Sequence, residues 1–132
     1  MDATLFSLAE RLDRSLGSTR PENSWFAEVR SKLHAFRTCL LQHIASSEGD
    51  DGLYVDLTES DPRLAPLIGR LRTECRQLLQ LADFGLAAID RPDRNPREVR
   101  HVVGELVRRT QRYRSHCSTA VHEAVVVDIG VG

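Results

Sequence analysis

The sequence predicts an all-α protein, an up-and-down bundle of four helices around one core. Along four segments apolar residues recur every three or four positions, which is the pattern of helices that bury one face. Breaks rich in Gly, Pro and Asp separate these segments, and short connections make consecutive helices antiparallel neighbours. The chain has 132 residues, the usual size of one domain. We therefore predict a single domain over residues 1–132.

The composition is that of an ordinary globular chain and excludes several classes of protein. Hydrophobic residues make up 41%, charged residues 28%, and the formal net charge is −1. This balance gives no reason to expect nucleic acid or an anionic membrane as a partner. No uncharged apolar run approaches the ~18 residues that a membrane span needs. The N-terminus does not resemble a signal peptide and the three cysteines form no CxxC pair, so we predict a cytoplasmic protein with free thiols.

The first two helices are predicted from their apolar stripes. A short N-terminal helix over residues 1–16 carries the stripe Leu5, Leu8, Leu12 and Leu16. Gly17 follows it, at a position that favours a left-handed residue. The second helix is predicted over residues 25–47 and ends before the EGDDG segment. Residues 53–61 are ambiguous between a helical turn and a short extended piece.

The last two helices are predicted from their caps as well as their stripes. The third is predicted over residues 64–90, after a capping Asp61 that precedes a proline. The fourth is predicted over residues 96–124, because Asn95 is a suitable cap and a proline follows it. Residues 125–132 are predicted to be a frayed or docked tail.

Helical geometry of about 100° per residue separates inward from outward polar residues. The inward set is His43, Ser47, Cys75, Thr110, Tyr113 and Cys117. Structural roles account for each, because Cys packs as a small hydrophobe, Ser and Thr bond to their own helix, and Tyr buries its ring. A single His on the flank of a stripe, such as His43, is more often a boundary residue than a ligand. His34, His101 and His122 point outward, and His116 lies on the edge of its stripe.

Three segments, HIASSEGDDGLYVDL, DPRLAPLIGRLRTECRQLLQ and YRSHCSTAVHEAVVVDIGVG, resemble bacterial hemerythrin-like proteins. The resemblance rests on their order, their spacing and the DIGVG-like tail, and covers about residues 33–132. It implies a hemerythrin-like four-helix bundle. In that family His and carboxylate residues from several helices hold two non-haem irons, which bind dioxygen or a related small ligand.

The resemblance also indicates which residues of this chain stand at the family's iron-ligand positions. These residues are His43, Ser47, Cys75, Tyr113 and Cys117. Only His43 keeps a residue type that the family uses there. Glu48 and Glu74 lie nearby on stripe edges, where we expect solvated carboxylates, and a shifted alignment would use His116.

This donor set leads to two hypotheses about function, and a third interpretation is an unrelated, self-associating helical bundle whose resemblance to the family is accidental. Two irons need several imidazole and carboxylate donors, so we predict a degenerate hemerythrin-like domain without a di-iron centre or other cofactor. It would act as a scaffold or interaction module, through a protein partner or self-association. The alternative is a surviving or remade site that holds non-haem iron, or Zn²⁺ on His43 with Cys75 and Cys117, and binds or senses dioxygen or a related ligand. We expect no enzyme, because neither a phosphate loop nor a nucleophile motif is present.

Overall fold

The computed structural model describes residues 3–48 and 53–131, with side chains described for 4–47, 54–59 and 61–122. Within these ranges every regular element is helical, so the all-α prediction is confirmed. The helices are α1 (Ala3–Leu16), α2 (Glu22–Glu48), α3 (Leu53–Ser60), α4 (Ala65–Asp90) and α5 (Pro96–Val131). None of the described helices combines the length and the apolarity that crossing a membrane requires.

Four long helices form a closed ring around the core. α1 packs against α2 and α5, and α4 packs against the same two helices from the other side. The short α3 contacts α2, α4 and α5 at one end of the ring. Polar contacts show that neighbours run in opposite directions, because low residue numbers on one helix meet high numbers on the next. These contacts are Arg30–Asp90 and Arg37–Asp83 between α2 and α4, and Arg100–Leu16 and Arg114–Glu10 between α5 and α1.

The connection between α2 and α4 resolves the segment that the sequence left ambiguous. Residues 53–60 form α3, and a 3₁₀ turn follows at Pro62–Leu64. Asp61 caps this turn, since its carboxylate accepts a hydrogen bond of 3.0 Å from the backbone N–H of Arg63. The predicted cap is therefore confirmed, although α4 itself begins at Ala65. Residues 49–52, most of the predicted break, lie outside the described residues.

Two expectations about helix ends were wrong. The helix predicted to stop near residue 124 continues to Val131, so no frayed tail begins at residue 125. The segment lacks proline, and a single Gly130 costs only about 1 kcal/mol relative to Ala, which a long helix tolerates. Gly17 does not adopt a left-handed conformation; α1 instead ends with 3₁₀-type bonds from Gly17 N–H to Arg14 and from Ser18 N–H to Ser15.

The core contains most residues of the predicted stripes, together with Tyr54 and Leu57 of α3. Leu71 of α4 and Leu106 of α5 are fully buried at mid-stripe. In α1, Leu5 and Leu12 are fully buried, whereas Leu8 and Leu16 pack at the edge of the same cluster.

Truncating either mid-stripe leucine should destabilise the bundle strongly. We expect Leu71→Ala or Leu106→Ala to lower the free energy of unfolding by about 2–5 kcal/mol, because each change removes buried methyl groups and leaves a cavity. Urea unfolding followed by circular dichroism measures this. A loss below about 0.5 kcal/mol, the size of an ordinary surface effect, would contradict the described packing.

Two glycines of α4 provide a matched test of how closely α2 and α4 approach. A Cβ at Gly85 would lie 2.8 Å from Cδ2 of the buried Leu33, whereas a Cβ at Gly69 would meet nothing within 4 Å. Gly69→Ala should therefore stabilise the protein by up to about 1 kcal/mol through helix propensity. Gly85→Ala gains the same propensity but overpacks the α2–α4 contact, so we expect it to be less stable than Gly69→Ala by about 1–3 kcal/mol. Equal stabilities in thermal unfolding would be inconsistent with the close approach.

Candidate functional site

A buried hydrogen-bonded network joins four helices near the end of the bundle that carries α3. His43 Nε2 of α2 lies 2.7 Å from Tyr113 Oη of α5. The same Tyr113 oxygen lies 3.0 Å from Tyr54 Oη of α3. Tyr54 Oη in turn lies 3.6 Å from Cys75 Sγ of α4. The hydroxyl of Tyr113 is therefore the centre of the network, with a partner on either side.

The polar atoms of this network need partners within the protein, because their side chains are buried. His43 is 4% exposed, Tyr54 1% and Tyr113 0%, so water cannot serve their polar atoms. A buried polar group without a partner costs several kcal/mol in an apolar setting, roughly 2–7 by transfer estimates. The rings are also packed, since the His43 and Tyr113 rings meet edge to face with centroids 5.6 Å apart. The imidazole and both phenols are thus held by packing as well as by hydrogen bonds.

The other inward residues, Thr110, Cys117 and Ser47, are also buried, as predicted. Thr110 is fully buried, and its hydroxyl donates a 2.8 Å bond to the carbonyl of Leu106 on its own helix. Cys117 is fully buried beside the network. Ser47 is 4% exposed, one turn after His43, but none of the network's hydrogen bonds described above involves it. The structure therefore brings three of the five family-matched residues, His43, Cys75 and Tyr113, into one hydrogen-bonded group.

Tyr54 is the member of the site that sequence reasoning missed. It lies in the segment whose conformation was left open, so no helical face could be assigned to it. In α3 both Tyr54 and Leu57 are buried, three residues apart. That spacing is typical of an inward helical stripe, and it could have predicted from the sequence that Tyr54 points into the core.

The expectation for Glu74 was wrong. We expected a solvated carboxylate, but its side chain is only 18% exposed. Glu74 Oε1 lies 2.5 Å from Nδ1 of His116, and its other oxygen is buried without a hydrogen bond among the described residues. His116 comes from the edge of α5, which lets it reach across to α4. The side chain of Glu48, the other nearby acid, lies outside the described residues, while His34, His101 and His122 are exposed as predicted.

The donors at this site do not fit a di-iron centre. The family-matched positions supply one imidazole, one phenol, two thiols and a hydroxyl, and none of them supplies a carboxylate. One ring nitrogen of His43, Nε2, is already hydrogen-bonded to Tyr113. In the part of the chain that the structure describes, no group of three or more His, Cys, Asp or Glu side chains is placed to hold a metal ion.

Burial also keeps the two phenols and the Cys117 thiol protonated. It raises the pKa of Tyr54 and of Tyr113 well above the ordinary phenol value. Burial raises the pKa of the Cys117 thiol to about 11. The two phenols and this thiol therefore keep their protons near neutral pH.

A groove lies next to the network but does not open into it. It has a volume of about 300 Å³ between α3 and α4 and is lined by Tyr54, Val55, Thr58, Glu59, Ala65, Ile68 and Arg72. The guanidinium of Arg72 lies over the Tyr54 ring, 5.3 Å from its centroid. Because Tyr54 is almost fully buried between the groove and Tyr113, its ring separates the network from solvent.

Comparison with family models, curated proteins and solved structures finds no match for this chain. The resemblance to hemerythrin-like proteins therefore stays a prediction from the sequence.

The two phenols give a direct optical test of the network, because the chain contains no other tyrosine. Their pKa values are raised in the folded state, so the stability they contribute is present below the unfolded pKa of about 10 and is lost as pH rises above it. Cys117 adds to this loss from about pH 9 upward, and Lys32 is the only lysine that could blur the result. We expect tyrosinate absorbance to rise together with loss of helical circular dichroism.

The Tyr113→Phe variant serves as the control for this titration. It should show about half the tyrosinate signal, still coincident with unfolding, since the remaining Tyr54 is buried as well. Tyrosinate absorbance that appears at about pH 10 while the helical signal stays native would contradict the buried network.

Proposed function

We propose that this chain is a helical-bundle interaction module of the hemerythrin-like type that holds no di-iron centre. The positions that bind iron in that family serve here as a hydrogen-bonded part of the core. The observation that carries the proposal is the 2.7 Å contact between His43 Nε2 and Tyr113 Oη. In this contact, His43, the only matched residue that keeps a ligand type of the family, is hydrogen-bonded to Tyr113, which stands at another ligand position.

One feature of the site supports the hemerythrin-like resemblance, and another supports the loss of the irons. His43, Cys75 and Tyr113 converge from α2, α4 and α5, as residues at shared ligand positions would, which supports the resemblance. Their chemistry supports the loss of the irons, since two irons require several hard or borderline donors and these three residues include one imidazole. A binding role is the simpler interpretation, because burial keeps the protons on both phenols and on Cys117 near neutral pH and so removes the reactive anionic forms of these three groups.

The alternative of a remade zinc or iron site has less support. Zinc would need His43, Cys75 and Cys117 to share one ion, and among the described residues no group of three or more His, Cys, Asp or Glu side chains is placed to hold a metal. It would also need His43 Nε2 to leave Tyr113. A sensor of dioxygen or a related small ligand would need access to the site, which the ring of Tyr54 closes.

Metal analysis tests the proposal on the unmodified protein. Protein purified from iron-supplemented cells should contain no stoichiometric iron and show no di-iron absorption bands. Two irons per chain would overturn the proposal.

A gain-of-ligand series tests whether these positions are the family's iron-ligand positions. The combined variant Ser47→Glu, Cys75→His, Tyr113→His and Cys117→Glu restores the donor types, and it should bind iron while remaining helical. The matched control adds His43→Phe to the same four changes and should bind less iron, because it removes the retained ligand. Iron binding that is equal in the two variants would show that the iron is held elsewhere.

A further inference from the structure

The chain has three aromatic side chains that a one-electron oxidant can attack, the phenols of Tyr54 and Tyr113 and the indole of Trp25. All three are almost fully buried. A phenol or indole that has lost an electron is a strong acid, so a stable product requires a base that takes up its proton. Because water is excluded from these side chains, that base must be a protein group hydrogen-bonded to the ring. The hydrogen-bond partners therefore decide which of the three rings is suited to oxidation.

The partners of Trp25 and Tyr54 are not bases. Trp25 Nε1 donates a hydrogen bond of 2.8 Å to the backbone carbonyl of Ser15, and a carbonyl oxygen does not take up a proton near neutral pH. The hydroxyl of Tyr54 lies 3.0 Å from the hydroxyl of Tyr113 and 3.6 Å from the thiol of Cys75. These two groups hold protons of their own. Neither the indole nor the first phenol can therefore release a proton to its neighbour.

Cations over the rings separate the three side chains in the same way. The guanidinium of Arg72 lies 5.3 Å from the centroid of the Tyr54 ring, and that of Arg100 lies 4.6 Å from the centroid of Trp25. A cation over a ring is attracted by the ring's electrons, so it opposes their removal. Among the described residues, no guanidinium lies over the ring of Tyr113 in this way. Tyr113 is therefore the ring whose surroundings oppose oxidation least.

Tyr113 also has a base as its partner, because its hydroxyl oxygen lies 2.7 Å from Nε2 of His43. Imidazole is the side-chain base that takes up and releases a proton nearest to neutral pH. The direction of the hydrogen bonds favours the phenol as the donor, since an imidazole nitrogen accepts well and the sulfur of Cys75, at the other end of the network, accepts weakly. Tyr54 then donates to Tyr113, and Tyr113 donates to Nε2 of His43.

We propose that Tyr113 is a one-electron redox site, in which His43 takes up the phenolic proton when a diffusible one-electron oxidant removes an electron from the ring. The O–H bond of Tyr113 breaks, the proton bonds to Nε2 of His43, and the oxidant is reduced by one electron. The products are a neutral phenoxyl radical and an imidazolium, which remain joined by the same hydrogen bond. Return of one electron reverses both transfers. This inference uses only the geometry of the buried network and does not depend on the proposed interaction role.

The closed core suits this chemistry, because the oxidant does not have to enter it. A helix with its side chains is about 10–12 Å across, so a molecule on the outside of the bundle lies roughly one helix diameter from Tyr113. Electrons tunnel over such a distance, whereas a proton moves only between groups in contact, which here are the phenol and His43. Burial also keeps the radical away from water and from a second radical. A site that is closed to ligands therefore remains open to electrons.

The test oxidises the full chain with photogenerated ruthenium(III) tris-bipyridine and detects radicals by freeze-quench electron paramagnetic resonance. The native chain should give a phenoxyl radical that Tyr54→Phe keeps and Tyr113→Phe loses. His43→Gln keeps a side chain that hydrogen-bonds to the phenol but is not a base. It should lower the radical yield at least about tenfold, since a positioned base contributes that much or more to a proton transfer. The matched control is His34→Gln, which removes an exposed imidazole of α2 and should behave like the native chain.

Three results would overturn the proposal: no phenoxyl radical in the native chain, a radical on Trp25 or Tyr54 instead, or an unchanged yield in a folded His43→Gln variant. If that variant does not fold, the native chain exchanged into D2O replaces it. The radical should then form more slowly than in H2O, because the proton moves together with the electron, and equal rates would contradict the proposal. Metal analysis of the same sample keeps this result separate from the test of the proposed function.

Discussion

The requirement that buried polar groups find partners governs the end of this bundle that carries the site. An imidazole and two phenols lie in a core that excludes water, and each must be hydrogen-bonded or the fold loses several kcal/mol. Tyr113 meets this requirement for both neighbours, because its one hydroxyl reaches His43 on one side and Tyr54 on the other. Any rotation of α5 that removed Tyr113 from the core would break the hydrogen bond to His43 Nε2.

The same constraint explains why the short α3 belongs to the fold. Alone, eight residues make a marginal helix, but Tyr54 gives this one a ring in the core and a hydroxyl in the network. Its carboxyl end runs into the turn capped by Asp61, which sets the start of α4. A hydrogen-bonded network that joins α2, α3, α4 and α5, and whose two phenols stay protonated near neutral pH, suits a structural core.

Much of this arrangement follows from helical periodicity, and the exceptions have physical causes. A helical wheel, drawn at about 100° per residue, places His43, Ser47, Cys75, Tyr113 and Cys117 inward, and the structure buries all five. It could not place Tyr54, because a face can be assigned only after the segment is known to be helical. It misjudged Glu74 because a wheel describes one helix, whereas the burial of Glu74 depends on His116 reaching across from α5. The hydrogen bonds also depend on how far each helix is shifted along the bundle axis relative to its neighbours, and the apolar stripe of one helix does not determine that shift.

The central claim is that His43 is bonded to Tyr113 rather than available as a ligand. Nitrogen NMR of the histidine ring tests it most directly, by comparing His43 in the native chain with Tyr113→Phe and with an exposed control such as Ser7→Arg. We predict one fixed tautomer of His43 in the native chain, with an Nε2 resonance that shifts in Tyr113→Phe and not in the control. The claim would be contradicted by an Nε2 resonance that is the same with and without the Tyr113 hydroxyl.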